Sequence, residues 1–482
     1  MKDYDRAIQD FDRAIELDPS SPFAYSSRGD AYSSKNDQER AIQNYDEAIR
    51  LDPKNAKNIS AYTGRGLAYV KKGDAQRALL DFERAIQLDP KNAFAYVARG
   101  DVYRSKYDSN RAIKDYDQAV QLDPKSAAAY AGRGIAYAAS GDIQRAIQDF
   151  DRAIQLDPQN TAAYTGRGIA YVNKGERDRA IRDIDRAIEL DPKNILAYVS
   201  RGSAYMSGGE YDRAVQDYDR AIQLDPGNPI IYLGRGIVHA AKRDYDRAVV
   251  DYDQALRLNP NLAAAFLKRG NAYASKGEQD YAIKDYDQAI QLDPKNPTNT
   301  NAYTDRAAAY MSKGDYDRAI PDYDQAILLD PNNFVAFVSR GRAYFYLGNF
   351  TAGAADLLRA NEIQEGSYSM IWRYLARERA GENAAAELGK NAVRLKSAEW
   401  PYPIVELYLG QRSPADVLSA AGKADERCEA QFYIGEWHLL RGDRAAATTA
   451  FHTAAETCPK EFDEYTGALA ELKRLTLYPP KP

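Results

Sequence analysis

Apolar and polar positions recur along most of the chain with a helical period, broken at regular intervals by a glycine and, further on, by Leu-Asp-Pro. In the stretch ending at Pro158, Tyr130, Gly134 and Tyr137 share one helical face, and Ala146, Phe150 and Ala153 share one face of a second segment. The pattern predicts two amphipathic helices per unit. Gly73, Gly141, Gly175, Gly209, Gly277 and Gly314 stand where a left-handed cap would end the first helix, and the acidic residue after each suits the start of the second. The proline of Leu-Asp-Pro then stops the second helix. These prolines stand at Pro19, Pro53, Pro90, Pro124, Pro158, Pro192, Pro226, Pro260, Pro294 and Pro331, 34 residues apart except for 37 after Pro53 and after Pro294. The two inserted triplets predict longer loops around Lys57 to Ser60 and Pro297 to Thr300, and Pro321 predicts a mild irregularity in its helix.

A 34-residue helix-turn-helix period carrying these residues resembles the tetratricopeptide repeat family. Numbering the unit from Ala127, the markers Tyr130, Gly134, Tyr137, Ala146, Phe150, Ala153 and Pro158 occupy positions 4, 8, 11, 20, 24, 27 and 32. The resemblance implies an all-α fold, a right-handed superhelical solenoid in which each unit buries its apolar face only against its neighbours. Residues 1–21 read as a partial repeat with a second helix only, 22–365 as ten complete units, and 366–482 as a helical module with degenerate repeats and one final unit.

Every complete unit carries Arg at position 7, including Arg99, Arg133, Arg167, Arg201, Arg235 and Arg269, where the family often has Leu. Asp at position 23, as in Asp115 and Asp149, offers a matching acidic row, so an Arg–carboxylate network between helices is the structural reading and an anion-binding row the functional one. The resemblance implies that positions 2, 5, 9 and 12 line a concave groove. Here those positions give Ile135, Ile169, Val172, Leu196, Val199, Met206, Ile230, Leu233, Ile237 and Leu267, an apolar row suited to a protein or peptide partner. The Lys and Asn used by relatives that clamp a terminal carboxylate are missing from most units.

Charge and motifs narrow the function further. Sixty-five basic and 70 acidic residues give a net charge of −5 with no basic stripe, so no nucleic-acid partner is expected. No apolar run is long enough for an integral membrane segment. Phosphate-binding glycine loops, His-Glu-x-x-His and Gly-x-Ser-x-Gly do not occur, so neither catalytic residues nor a cofactor are expected. Of the three histidines, His239 takes a position held elsewhere by Tyr and reads as core, while His438 and His452 lie too far from the cysteines along their helices for a metal site.

Beyond Ala360 the pattern decays, then returns in a last unit marked by Gly435, Ala447, Phe451, Ala454 and Pro459. Trp400, "IVELYLG" and "FYIGEWHLLRGD" together resemble the C-terminal region of new-lipoprotein-I-type bacterial envelope adaptors. That likeness implies a scaffold for envelope enzymes, but the chain has more repeats and no lipidated N-terminal cysteine. Cys428 and Cys458 fall at the first and last positions of the final hairpin, where the two ends meet. A disulfide there would favour the periplasm or cell envelope, given an export signal upstream; two unrelated buried thiols would favour the cytoplasm.

Met1 sits at position 14 of its unit. The missing first helix is read as truncation, with end-to-end self-association as the rival. The expected function is a noncatalytic protein-interaction scaffold or adaptor. Its alternatives are the regulatory arm of an enzyme whose catalytic domain lies upstream, and a cytosolic co-chaperone.

Overall fold

The computed structural model describes residues 2–53, 58–294, 300–393, 399–460 and 462–477. Among them are 28 helices and no strand, so the chain is all-α. The helices run as hairpins, for example Ala127–Ala139 with Ile143–Leu156. Within each of two compact units, residues 1–226 and 227–482, consecutive hairpins stack as in a solenoid.

Local chemistry sets the hairpin ends. Asn160 begins one first helix, its side chain accepting from the Ala163 N–H at 2.9 Å, and Asp142 begins a second helix by accepting from the Arg145 N–H at 3.0 Å. Between the two helices Gly141 takes φ 88°, which lets the Asp142 N–H reach the Tyr137 carbonyl at 2.9 Å. The same left-handed corner holds Asn36, Tyr107 and Arg243 in three other hairpins, at φ 65°, 60° and 62°. A helix from Tyr316 to Leu329 runs without a break through Pro321. Of the two inserted triplets, residues 54–57 and 295–299 lie outside the described residues, and helices resume at Ile59 and Thr300.

Within the first unit, the ring at position 24 holds neighbouring hairpins together. Phe150 is fully buried, and a Cβ on Gly134 would stand 2.8 Å from it, one on Gly166 of the next hairpin 2.5 Å. Glycine at both places lets two first helices close on one ring from either side.

The second unit ends differently. After Phe334–Leu347 and Phe350–Ile363, the helices Ser367–Arg379 and Ala385–Ala392 form the degenerate pair, and the short helices Tyr402–Tyr408 and Pro414–Ala420 break the period. Ala424–Leu440 and Arg444–Thr457 make the last hairpin, followed by Asp463–Leu477. The first helices here curl tightly enough to close a ring: Phe334–Leu347 touches Ser367–Arg379, which touches Ala424–Leu440, which touches Asp463–Leu477, and this last returns to Phe334–Leu347. Trp372 fills the ring, 5.2 Å from Phe345, 5.8 Å from Tyr346 and 5.3 Å from Phe432 between ring centroids.

Candidate functional site

The arginines at position 7 are fixed from three sides. Arg133 donates from Nε and Nη2 to both oxygens of Asp149 at 2.7 Å each, and from Nη1 to Asp117 of the preceding hairpin at 2.7 Å. The Tyr130 ring lies 5.4 Å from its guanidinium carbon. The same arrangement recurs at Arg167 with Asp183 and Asp151, Arg201 with Asp217 and Asp185, and Arg269 with Asp285 and Asp253. Arg99 and Arg235 clasp Asp115 and Asp251 in the same fork. The carboxylates are buried, the Asp115 side chain 8% exposed against 20% for Arg99. Burial lowers the proton affinity of such an arginine, but its bonded carboxylates more than reverse that and hold it fully charged. With its donors directed at two carboxylates and its face against a ring, the row has the geometry of a clamp between hairpins.

The row of ten apolar residues divides on burial. Leu196 and Ile230 are more than half exposed, at 56% and 53%. Leu233 is buried at 9% against Tyr252 and Ala248, and therefore does not line a groove. The reason is positional: position 5 faces the contact between successive first helices, where Ala131 and Thr165 are buried as well. Val172 is half-buried against Ala180 and Ile184, Ile237 packs on the cluster around Tyr252, and Leu267 packs beside Tyr286. Val199 and Met206 are half-buried.

Three of the ten come together in the first unit. Ile135, Ile169 and Leu196 line one pocket of about 510 Å³ on the first helices of three consecutive hairpins, with Ala138, Ala162 and Phe150 completing its apolar wall. Arg104, Thr165, Asp191 and Asn194 stand at its border. Asn194 donates to the Thr165 hydroxyl at 3.0 Å, so part of that border is already hydrogen-bonded. The apolar row pointed to this face; the polar border escaped it, because Arg104 at position 12 and Thr165 at position 5 are polar and were passed over in an apolar row, while Asp191 and Asn194 come from loop positions outside the four groove positions.

The ring in the second unit contains charge that the apolar pattern hid. Arg379 donates to Glu436 at 2.7 Å and to Glu471 at 3.2 Å, while Arg474 pairs with Glu471. Glu436 and Glu471 are 0% and 1% exposed, and the second oxygen of Glu436 has no hydrogen-bond partner. Burial and the neighbouring Glu471 push the Glu436 carboxyl up to about 7. A glutamate inside the apolar run Tyr433, Ile434, Gly435, Trp437 was the one signal available in the sequence.

Cys428 and Cys458 are joined as a disulfide with Cα atoms 5.0 Å apart, tying the start of Ala424–Leu440 to the residue that ends Arg444–Thr457. His239 is 7% exposed, and burial lowers its proton affinity. Among the described residues no group of His, Cys, Asp and Glu could hold a metal ion, and no helix is long and apolar enough to cross a membrane.

Family profiles described as TPR repeat match residues 1–35, 29–73, 202–242 and 240–277. Others described as tetratricopeptide repeat match 59–92, 100–166, 137–200, 263–296 and 300–333. Among solved structures, the chain is similar to a tetratricopeptide repeat protein from Parabacteroides merdae, with 22% identity and TM-score 0.44 over 55% of this chain and 99% of that one. It is also similar to YrrB, a TPR protein with an unusual peptide-binding site, at 29% identity and TM-score 0.32 over 39% and 95% of the two chains. Yeast Tom70 matches at 18% identity and TM-score 0.42, over 82% of this chain and 96% of its own.

Proposed function

Because the chain belongs to the tetratricopeptide repeat proteins, we propose that it is a noncatalytic scaffold that holds a partner protein by an extended apolar segment. The observation that carries this reading is the pocket at Ile135, Ile169 and Leu196, where an apolar wall faces outward on consecutive first helices instead of closing into a core. A large apolar side chain seated there gains about 1.5–3 kcal/mol from leaving water.

Peptides displayed on phage and selected against the full chain test it. Enriched sequences should carry a bulky apolar residue, and their binding should fall about 10- to 100-fold in Ile169→Glu. Leu80→Glu, on an exposed face of a second helix, should leave binding unchanged. Peptides bound equally well by Ile169→Glu would remove the pocket from the function.

The reading extends to an envelope adaptor, supported by the Cys428–Cys458 bridge, since disulfides persist in oxidising compartments. Protein from native cells, alkylated before lysis, should show no free thiol when denatured and two after reduction. Two thiols at the outset would place it in the cytoplasm.

A further inference from the structure

We propose that the C-terminal helix Asp463–Leu477 is a proton-sensitive strap, closed over the inner face of Phe334–Leu347 by the core of Arg379, Glu436, Glu471 and Arg474. A partner segment reaching that face would have to displace it.

The strap contacts Arg342 and Phe345, which stand at positions 9 and 12 of their unit, the positions the family resemblance assigns to the groove. Gly467 sits against the Phe432 and Tyr346 rings, Ala468 is fully buried, and the Tyr346 hydroxyl donates to the Asp463 carbonyl at 3.0 Å. Arg474 Nη2 donates to the Phe345 and Tyr346 carbonyls at 3.0 and 2.9 Å, next to the C-terminus of Phe334–Leu347. Arg342 of that helix also pairs with Asp463. The contacts are polar at both ends of the strap, small residues fill its middle, and Tyr465, Leu472 and Leu475 are only partly buried against the core, so lifting the strap breaks these contacts without withdrawing a large, fully buried apolar side chain.

What holds it depends on one proton. The groups facing Glu436 are Arg379 of Ser367–Arg379, Glu471 and Arg474 of the strap, and the hydroxyls of Tyr346 and Tyr408 from Phe334–Leu347 and Tyr402–Tyr408. Protonated, Glu436 is a neutral hydrogen-bonding group beside Arg379. Ionised, it puts a second negative charge next to Glu471, with no hydrogen-bond donor at its second oxygen to help hold that charge. A carboxyl whose value rises to about 7 on folding stabilises the closed form fully below its ordinary range near 4.5. That contribution falls as pH rises toward 7 and is flat above.

Hydrogen exchange of the full chain tests the proposal, comparing residues 463–477 with the helix Ala263–Ser275 of the same unit. Corrected for intrinsic rates, protection of the strap should drop about 10- to 30-fold between about pH 5.5 and about pH 8, while Ala263–Ser275 holds its protection. E436Q should flatten the strap's response. Glu464, a second buried carboxyl on the strap, is also raised by burial, so E464Q should retain the response. Equal protection at both pH values, a parallel drop in Ala263–Ser275, or a response abolished by E464Q would each overturn it. If E436Q does not fold, the wild-type comparison with E464Q still decides.

Discussion

Arg167→Met should destabilise its hairpin and the one before it by about 3–5 kcal/mol, because it leaves the buried Asp183 carboxylate without its forked partner. Asp151 on the preceding hairpin loses its bond as well but is half exposed, and contributes little to that total. The double variant Arg167→Met with Asp183→Leu should recover most of the loss, since an apolar pair of similar volume needs no compensation for a buried charge. Denaturant titration followed by hydrogen exchange at residues 143–190 reads both. A single variant within about 0.5 kcal/mol of the parent would mean that water screens the row and that the arginines are free to take anionic ligands.

Phe150→Ala is the second large expected effect, again about 3–5 kcal/mol, from the lost burial and the cavity between two hairpins. The loss should stay local, because each hairpin of a solenoid touches only its neighbours. Protection should fall across residues 127–173 and remain at parent level across 24–51. A second change, Gly166→Ala, places a methyl in the space the ring vacates and should return part of the loss, whereas in the parent the same methyl would stand 2.5 Å from the ring. Uniform loss across the first unit would mean that it melts as one block.

The hairpins were legible because three signals coincide in most of them: apolar residues at helical spacing, a glycine that fits the left-handed corner cheaply, and the acid or amide that opens the next helix. The arginine row was legible for the same reason, its Asp standing sixteen residues away in every unit from Arg65 to Arg340. The groove was only partly so. A helical wheel separates the two faces of a helix but not the edge that packs on the next hairpin, which is why Leu233 read as surface and proved to be core. The ring in the second unit could not be read at all, since Arg379, Glu436 and Glu471 are brought together by curvature between helices far apart in the chain. A single glutamate in an apolar run shows that something must neutralise it, not what does.

The regularity of the clamp bears on length. Arg133, Arg167 and Arg201 each bond an Asp sixteen residues ahead and another sixteen residues behind, so removing 34 residues anywhere between Arg133 and Arg201 leaves every surviving arginine with the same two partners at the same distances along the chain. A chain that lost or gained one such 34-residue unit would need no new interface in order to fold. The clamp therefore sets no particular number of hairpins, and the length of the row can change in steps of one unit without a change in any residue of the clamp.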